Sequence, residues 1–159
     1  LMRGLSSTLF APNQSMTRGM MVTTLYRLAG EPQVEGTATF QDVKSSAYYA
    51  NAVAWAEANG IAKGIDTGVF APNAPVTREQ AAAFAYRYVT AYLGKTPVPG
   101  ASLGGFQDAG LVSDYAAESL SWAHAAGLMV GYGDGFLGPK DTVTRAQMAK
   151  LLTLLAQNF

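Results

Sequence analysis

Apolar residues recur at helical spacing in five stretches of the chain. Two of these stretches, 48–59 and 116–126, are rich in alanine and contain no proline, which favours a helix. Each is followed by a glycine, Gly60 or Gly127, and then by an apolar residue, a sequence typical of a Schellman-type helix end. We therefore predict one helix over each of these two stretches.

The other three predicted helices begin at a threonine followed by an arginine, at Thr17, Thr77 and Thr144. Gln80 and Gln147 stand three positions after the second and the third of these threonines, which completes a capping box in both places. The first copy keeps the threonine and lacks the glutamine. Because no stretch alternates apolar and polar residues over a useful length, the predicted fold class is all-α.

The two helix types alternate because the chain repeats itself. Each complete unit opens with Phe-Gln-Asp, continues into a helix that carries tyrosine and tryptophan, crosses a glycine-rich loop and ends in a Thr-Arg helix. Unit 2 (39–93) and unit 3 (105–159) are complete, whereas unit 1 (1–30) matches only the second half of a unit. The segments between them, 30–39 and 94–105, are predicted linkers. The length favours one module, in which each unit buries its apolar stripe against its neighbours.

Composition narrows the possible functions. The chain has 11 basic and 11 acidic residues, so its zero net charge implies no general attraction to nucleic acid or to an anionic membrane. No apolar run approaches the roughly 18 residues that span a bilayer. The absence of cysteine excludes disulfides and thiolate metal sites.

No pattern in the sequence supports catalysis or metal binding. The glycine-rich stretch 131–135 lacks the alternating oxygen ligands and the final glutamate of a calcium loop, and a tight turn explains it better. His124 is the only histidine and is interpreted as a helix-surface or packing residue. Because neither a nucleophile motif nor a phosphate loop nor a repeated carboxylate pair is present, we predict no enzyme activity, no metal and no cofactor.

The ordered motifs resemble those of the S-layer homology family over essentially the whole chain. In unit 2 they are Phe40-Gln41-Asp42-Val43, Trp55, Gly60-Ile61 with Gly64, Phe70 with Pro72, and Thr77-Arg78-Glu79-Gln80. Unit 3 matches through Phe106-Gln107-Asp108, Trp122, Gly127-Leu128 with Gly131, Pro139, and Thr144-Arg145-Ala146-Gln147.

This resemblance implies a fold and a function. The implied fold is a pseudo-threefold spindle, with one helix of each unit in a central bundle, grooves between adjacent units and, in this chain, a truncated first repeat. The implied function is non-covalent binding of a secondary cell-wall polysaccharide, often one with ketal-linked pyruvate, or of a related glycan linked to peptidoglycan. Such binding anchors a bacterial surface protein outside the cell. The family's Thr-Arg motif supplies an arginine to the groove, and that role maps onto Arg18, Arg78 and Arg145.

These arginines also stand out on physical grounds. An arginine at the first position of a helix is mildly unfavourable, because the helix N-terminus is already partly positive. One interpretation is a surface arginine whose stem packs on the neighbouring unit. The other, which we favour, is an anion site where the guanidinium and free first-turn N–H groups bind a carboxylate such as pyruvate. On that hypothesis, replacing Arg78 or Arg145 by alanine weakens binding without unfolding the module.

The other candidates each have a structural and a functional interpretation. Trp55 and Trp122 are expected to anchor the core between units, with sugar stacking as the alternative. Asp42 and Asp108 are expected to cap the turn that follows each of them, with a ligand role as the alternative. The candidate ligand-binding set is completed by Gln80 and Gln147 beside the arginines and by the loop glycines Gly64 and Gly131.

Basic residues just before a loop glycine could give the ligand a second positive contact. Lys63 and Arg3 share this position of the repeat, and unit 3 has Val130 there. We therefore expect the groove that combines Arg78 with Lys63 to be the strongest.

Two further possibilities stay open. The repeats could form a protein–protein scaffold or an S-layer assembly surface without a sugar ligand. The absent first half of unit 1 could also leave an apolar gap, which a second copy of the chain would fill by exchanging an equivalent element. We favour this self-association over a bundle that the Thr-Arg helices complete by themselves.

Overall fold

The computed structural model describes residues 2–4, 6 and 8–159, and its regular structure there is helical. The α-helices are α1 (Arg18–Leu28), α2 (Ala50–Ala58), α3 (Arg78–Arg87), α4 (Ala117–Ala125) and α5 (Arg145–Asn158). A π-helical turn follows α3, and two 3₁₀ turns precede α4. Among the described residues, strand-like pairing is limited to isolated bridges between loops, so the predicted all-α class is confirmed.

Local sequence sets the beginning of each Thr-Arg helix, α1, α3 and α5. The Thr77 hydroxyl accepts the backbone N–H of Gln80, and the Gln80 side chain accepts the backbone N–H of Thr77. Thr144 and Gln147 form the same reciprocal pair, so both predicted capping boxes are confirmed. Thr17 caps α1 with its hydroxyl but has no glutamine to return the bond.

The tryptophan helices, α2 and α4, end as predicted. Gly60 has a φ of +69°, and the N–H of Ile61 donates to the carbonyl of Ala56 at 2.7 Å, which is the long bond of a Schellman motif. Gly127 has the same φ, and Leu128 makes the equivalent bond at 2.9 Å. Glycine adopts this left-handed conformation without the steric cost that a side chain would add.

Each tryptophan helix packs on the Thr-Arg helix of the preceding unit. Helix α2 lies against α1, and α4 lies against α3. Trp55 is 3 % exposed and contacts the Tyr26 ring of α1, while Trp122 is 1 % exposed and contacts the Tyr86 ring of α3. Both tryptophans therefore anchor the core between units, and their buried rings offer no face to a sugar. Helix α5 contacts α1, and the described part of unit 1 contains no tryptophan helix that could cover it.

Backbone hydrogen bonds join the three units in a closed ring. The first N–H of each Thr-Arg helix donates to a loop carbonyl of the next unit: Arg18 to Ala74 at 3.0 Å, Arg78 to Asp141 at 2.9 Å and Arg145 to Gln14 at 2.9 Å. Unit 1 thus donates to unit 2, unit 2 to unit 3, and unit 3 back to unit 1. In the part of the chain that the structure describes, no helix has the length and apolarity needed to cross a bilayer.

Candidate functional site

The three Thr-Arg arginines are buried and reach into the neighbouring unit. Arg18, Arg78 and Arg145 are 4 %, 6 % and 4 % exposed. Each guanidinium donates through Nε and Nη2 to two carbonyls: Arg18 to Phe70 (2.7 Å) and Lys63 (2.9 Å), Arg78 to Leu137 (2.9 Å) and Val130 (2.6 Å), and Arg145 to Phe10 (2.7 Å) and Arg3 (2.6 Å). Each guanidinium also lies 4.7–4.8 Å from the centre of an aromatic ring of that neighbouring unit. The arginines therefore hold adjacent units together.

The first-turn N–H groups that the predicted anion site requires are already bonded. In α1, the N–H of Arg18 donates to Ala74, the N–H of Gly19 donates to Pro72, and the third N–H donates to the capping Thr17. The same three positions of α3 and α5 are bonded in the same way. The prediction of free N–H groups beside these arginines is therefore wrong, because the loop of the next unit takes the place that an anion would occupy.

Two grooves run along junctions between units. Groove A, between units 2 and 3, has a volume of about 730 Å³. Groove B, between units 1 and 2, has a volume of about 440 Å³. Groove A is lined by residues that include Arg18, Lys63, Gly64, Gln80, Tyr86, Arg87, Tyr115 and Glu118. Groove B is lined by residues that include Arg3, Gly4, Met20, Thr23, Arg27, Tyr48 and Arg145.

Both grooves follow one plan, because equivalent positions of the repeat line them. Each groove has a buried arginine from a Thr-Arg motif, a basic residue before a loop glycine, a basic residue from a Tyr-Arg pair and an exposed tyrosine. These residues are Arg18, Lys63, Arg87 and Tyr115 in groove A, and Arg145, Arg3, Arg27 and Tyr48 in groove B. The tyrosines are 54 % and 65 % exposed, respectively.

The charges of groove A are partly fixed by hydrogen bonds. Burial lowers the pKa of Arg18 and of Arg87, and a guanidinium nonetheless stays cationic at neutral pH. Tyr86 donates its hydroxyl to Glu118 at 2.7 Å, which raises the pKa of Tyr86 to about 12. In unit 2 the repeat position of Glu118 is occupied by Asn51, and no carboxylate among the described residues lines groove B. Groove A therefore contains a carboxylate that groove B lacks.

The third junction, between units 3 and 1, has lost both basic groove residues. Val130 stands at the position of Lys63, and Leu154 stands at the position of Arg87. Arg78 reaches this junction, since it donates to the carbonyl of Val130. The prediction that Arg78 and Lys63 share a groove is therefore wrong. Each arginine extends forward into the next unit, so Lys63 meets Arg18 instead.

The two repeated aspartates do not cap the turns that follow them, contrary to the prediction. Asp42 accepts the N–H groups of Phe70 at 2.9 Å and Ala71 at 2.6 Å, and Asp108 accepts those of Leu137 at 2.8 Å and Gly138 at 2.7 Å. These N–H groups belong to the loop before the Thr-Arg helix of the same unit. The bond from Leu137 is the largest of several effects that together lower the pKa of Asp108. Both aspartates brace a loop that forms one side of a junction.

The remaining candidates have evident packing roles. A Cβ atom at Gly64 would lie 2.7 Å from the carbonyl oxygen of Asp66, and one at Gly131 would lie 2.6 Å from the Phe106 ring, so neither position has room for a side chain. The capping boxes engage Gln80 and Gln147. His124 bonds to the carbonyl of Met129 and packs on Phe106, as expected for a packing residue. No group of residues that could hold a metal ion occurs in the described ranges.

Sequence reasoning missed the exposed tyrosines and one basic position of each groove. Tyr48 and Tyr115 occupy the same position of the repeat, and so do Arg27 and Arg87. The recurrence of a Tyr-Arg pair in α1 and α3 was a signal that could have identified those arginines. The tyrosines, seven positions before each tryptophan, could have been found in the same way.

Comparison with known proteins supplies the identity that the geometry alone does not. The model of the S-layer homology domain matches residues 39–82 and 105–149. An endoglucanase from Bacillus sp. (strain KSM-635) is 35 % identical over 96 % of this chain and 16 % of its own length. The surface-layer 125 kDa protein of Lysinibacillus sphaericus is 32 % identical over 94 % of this chain and 12 % of its own. The S-layer protein sap of Bacillus anthracis is 27 % identical over 99 % of this chain and 19 % of its own length.

The chain spans less than a fifth of each of these relatives. S-layer homology domains are anchoring modules of bacterial surface proteins, and in enzyme relatives they are separate from the catalytic part. The two matched ranges begin where the two complete units begin and cover most of each unit. The chain therefore belongs to the S-layer homology family, whose domains attach surface proteins to the bacterial cell wall.

Proposed function

We propose that this chain anchors the protein that carries it by binding a pyruvylated secondary cell-wall polysaccharide in grooves A and B. The observation that carries this proposal is the shared plan of the two grooves. Lys63 and Arg87 line groove A, Arg3 and Arg27 line groove B, and each groove adds an exposed tyrosine. Two independent junctions that present the same chemistry support binding of a repeating polymer.

The chemistry of these residues suits an acidic sugar. Lysine and arginine side chains form charge-assisted hydrogen bonds with carboxylates, and these are stronger than neutral ones. Tyrosine offers an apolar ring face against which the C–H groups of a pyranose can pack. The chain has no net charge, so attraction depends on these local cations. Arg18 and Arg145 add positive charge at the grooves while their Nε and Nη2 atoms stay bonded to carbonyls.

Sedimentation with purified cell-wall sacculi tests this function. We expect the chain to sediment with intact sacculi and to stay in solution after acid has removed the secondary polymer. Retention on stripped sacculi would indicate peptidoglycan as the ligand instead. The variant Lys63→Val with Arg3→Val gives both grooves the residue found at the third junction, so it should sediment less. A wild-type chain that binds neither preparation would overturn the proposal in favour of a scaffold.

Self-association is a second candidate, and a separate observation favours it. Phe10 is 40 % exposed, whereas the equivalent residues Phe70 and Leu137 are fully buried. The ring of Phe40 covers Phe70, with 5.4 Å between ring centres, and the described part of unit 1 has no counterpart of Phe40. An exposed aromatic side chain such as Phe10 is a surface on which the Phe-Gln-Asp segment of a second copy would fit.

A further inference from the structure

A buried carboxylate joins units 2 and 3 beside groove A. Glu79, at the second position of α3, is only 3 % exposed. Its Oε2 accepts the backbone N–H of Ser113 at 3.0 Å. Its Oε1 accepts the Ser113 hydroxyl at 3.0 Å, the Tyr115 hydroxyl at 3.3 Å and the Lys140 ammonium at 2.6 Å. One side chain of unit 2 thus connects the segment before α4 with the loop before α5.

Lys140 and Ser113 favour the ionised form of this carboxylate. Burial by itself raises the pKa of Glu79, but hydrogen bonds from Lys140 and Ser113 outweigh burial and lower it below the ordinary value. Glu79 is therefore an anion at neutral pH that accepts hydrogen bonds from four groups of three residues of unit 3. An acceptor of this kind holds its donors in one geometry.

Among these donors, Tyr115 also belongs to the groove. It lines groove A and is 54 % exposed, although its hydroxyl is bonded to the buried Glu79. Arg18 and Arg87, which line the same groove, are close enough to oppose the rise in the pKa of Tyr115 that burial and Glu79 cause. The tyrosine is thus fixed at one end and accessible beside the groove cations.

Neither of the other junctions has this arrangement. The position of Glu79 is occupied by Gly19 in unit 1 and by Ala146 in unit 3. At Gly19 a Cβ atom would lie 2.9 Å from the Tyr49 ring, so no side chain fits there. Tyr48, the equivalent of Tyr115 in groove B, therefore has no carboxylate from this position, and a side-chain hydrogen bond from Thr17 acts on its hydroxyl instead.

We propose that Glu79 is a positioning residue for groove A, which fixes Tyr115 in the orientation that a bound sugar meets. This inference rests on the proposed function of groove A. A tyrosine that is already held loses less rotational freedom when a ligand packs on it, so affinity increases. Groove A is pre-organised by this contact, and groove B serves as an internal reference within the same molecule.

A double-mutant cycle between Glu79→Ala and Tyr115→Phe tests the inference. The probe is soluble polysaccharide released from sacculi, titrated by NMR while the amides of Gly64 and Gly4 report on grooves A and B separately. We expect Glu79→Ala to weaken binding at groove A by about tenfold and to leave groove B unchanged. In the Tyr115→Phe background, Glu79→Ala should have no further effect on groove A, because no hydroxyl remains to be held.

Lys140→Met is the matched control for stability. It removes the ion pair of Glu79 but keeps the Tyr115 contact, so it should lower the melting temperature without weakening groove A. Glu79→Gln keeps an acceptor oxygen and should recover most of the lost affinity. Additive effects in the cycle, or equal losses in both grooves, would overturn the inference and leave the function of groove A intact. A wild-type chain that binds no polysaccharide would overturn both.

Discussion

At the scale of the residue, the module uses arginine first as a connector between backbones. The planar guanidinium presents several donors in fixed directions, so it can satisfy two carbonyls at once where lysine presents a single point charge. Arg18, Arg78 and Arg145 each do this across a junction. The unfavourable position of a cation at a helix N-terminus is thereby offset by bonds to the next unit.

This role changes the expected result of substituting these arginines. Arg78→Ala leaves the carbonyls of Leu137 and Val130 without their donor, so we expect the free energy of unfolding to fall by about 2–4 kcal/mol. Arg78 does not line groove A or groove B, so any loss of binding would follow from the loss of stability, contrary to the expectation from sequence of a loss without unfolding. Urea unfolding measures the change, and Arg78→Lys, which keeps the charge, should restore only a minor part. An unchanged urea midpoint in Arg78→Ala would contradict this account.

Glu79 makes the stability of the module depend on pH. Because its pKa is lowered in the folded state, its contribution is fully present above the ordinary pKa of a glutamate and disappears as pH falls through the folded-state value. Wild type should therefore exceed Glu79→Gln in melting temperature at pH 7, and the difference should shrink below about pH 4.5. Thermal unfolding of both proteins across this range is the measurement. A constant difference down to pH 3 would show that Glu79 does not contribute through its charge.

At the scale of the element, sequence reasoning succeeded where the cause is local. The capping threonines and the terminal glycines act on N–H and carbonyl groups within one turn, so a short stretch of sequence contains all the partners. The partners of Asp42 and Asp108 lie in a loop beyond an intervening helix. The direction in which each arginine points depends in the same way on how units pack. The spacing of residues in the sequence alone could therefore predict neither the role of the aspartates in bracing the loop nor the pairing of Lys63 with Arg18.

Substituting Lys63, the basic residue before the loop glycine, tests how much this position contributes to binding in groove A. Lys63→Val introduces the residue that unit 3 has at the third junction. Lys63 is exposed, so a contact to an acidic sugar there should contribute about 0.5–1 kcal/mol, or a two- to fivefold change in affinity. Isothermal titration with the soluble polysaccharide measures it at low and high salt. Lys44→Val, in an exposed position that does not line either groove, is the control and should bind like wild type.

At the scale of the whole molecule, three similar units form a closed ring whose junctions are not equal. Grooves A and B combine cations with tyrosine, whereas the third junction presents Val130 and Leu154 at the basic positions. Val130 is 51 % exposed, and the neighbouring loop adds the exposed rings of Tyr132 and Phe136. The ring thus separates two junctions suited to an acidic ligand from a third that has apolar residues at their two basic positions.

The third junction leads to the prediction on self-association. Helix α2 packs on α1 and helix α4 packs on α3, but within the described residues no tryptophan helix packs on α5 in the same way. Phe40 covers Phe70, whereas no described residue covers Phe10 in the same way. A second copy that supplies an equivalent element would cover both, so light scattering at micromolar concentration should show a mass above the 16.7 kDa of one chain. Phe10→Ser should shift the mass towards the monomer. Leu9→Ser removes a neighbouring exposed side chain and should not.

A peptide that copies residues 39–60 of this chain gives an independent measurement. It contains the Phe-Gln-Asp segment and the tryptophan helix, which are the parts that cover Phe70 and α1 in the folded chain. If the same surface is open beside Phe10 and α5, the peptide should dissociate the oligomer and raise the melting temperature of the resulting monomer. A peptide with Phe40→Ser and Asp42→Asn should do neither, because it lacks the ring and one carboxylate oxygen. A clean monomer whose stability does not respond to the unmodified peptide would show that the Thr-Arg helices complete the core by themselves.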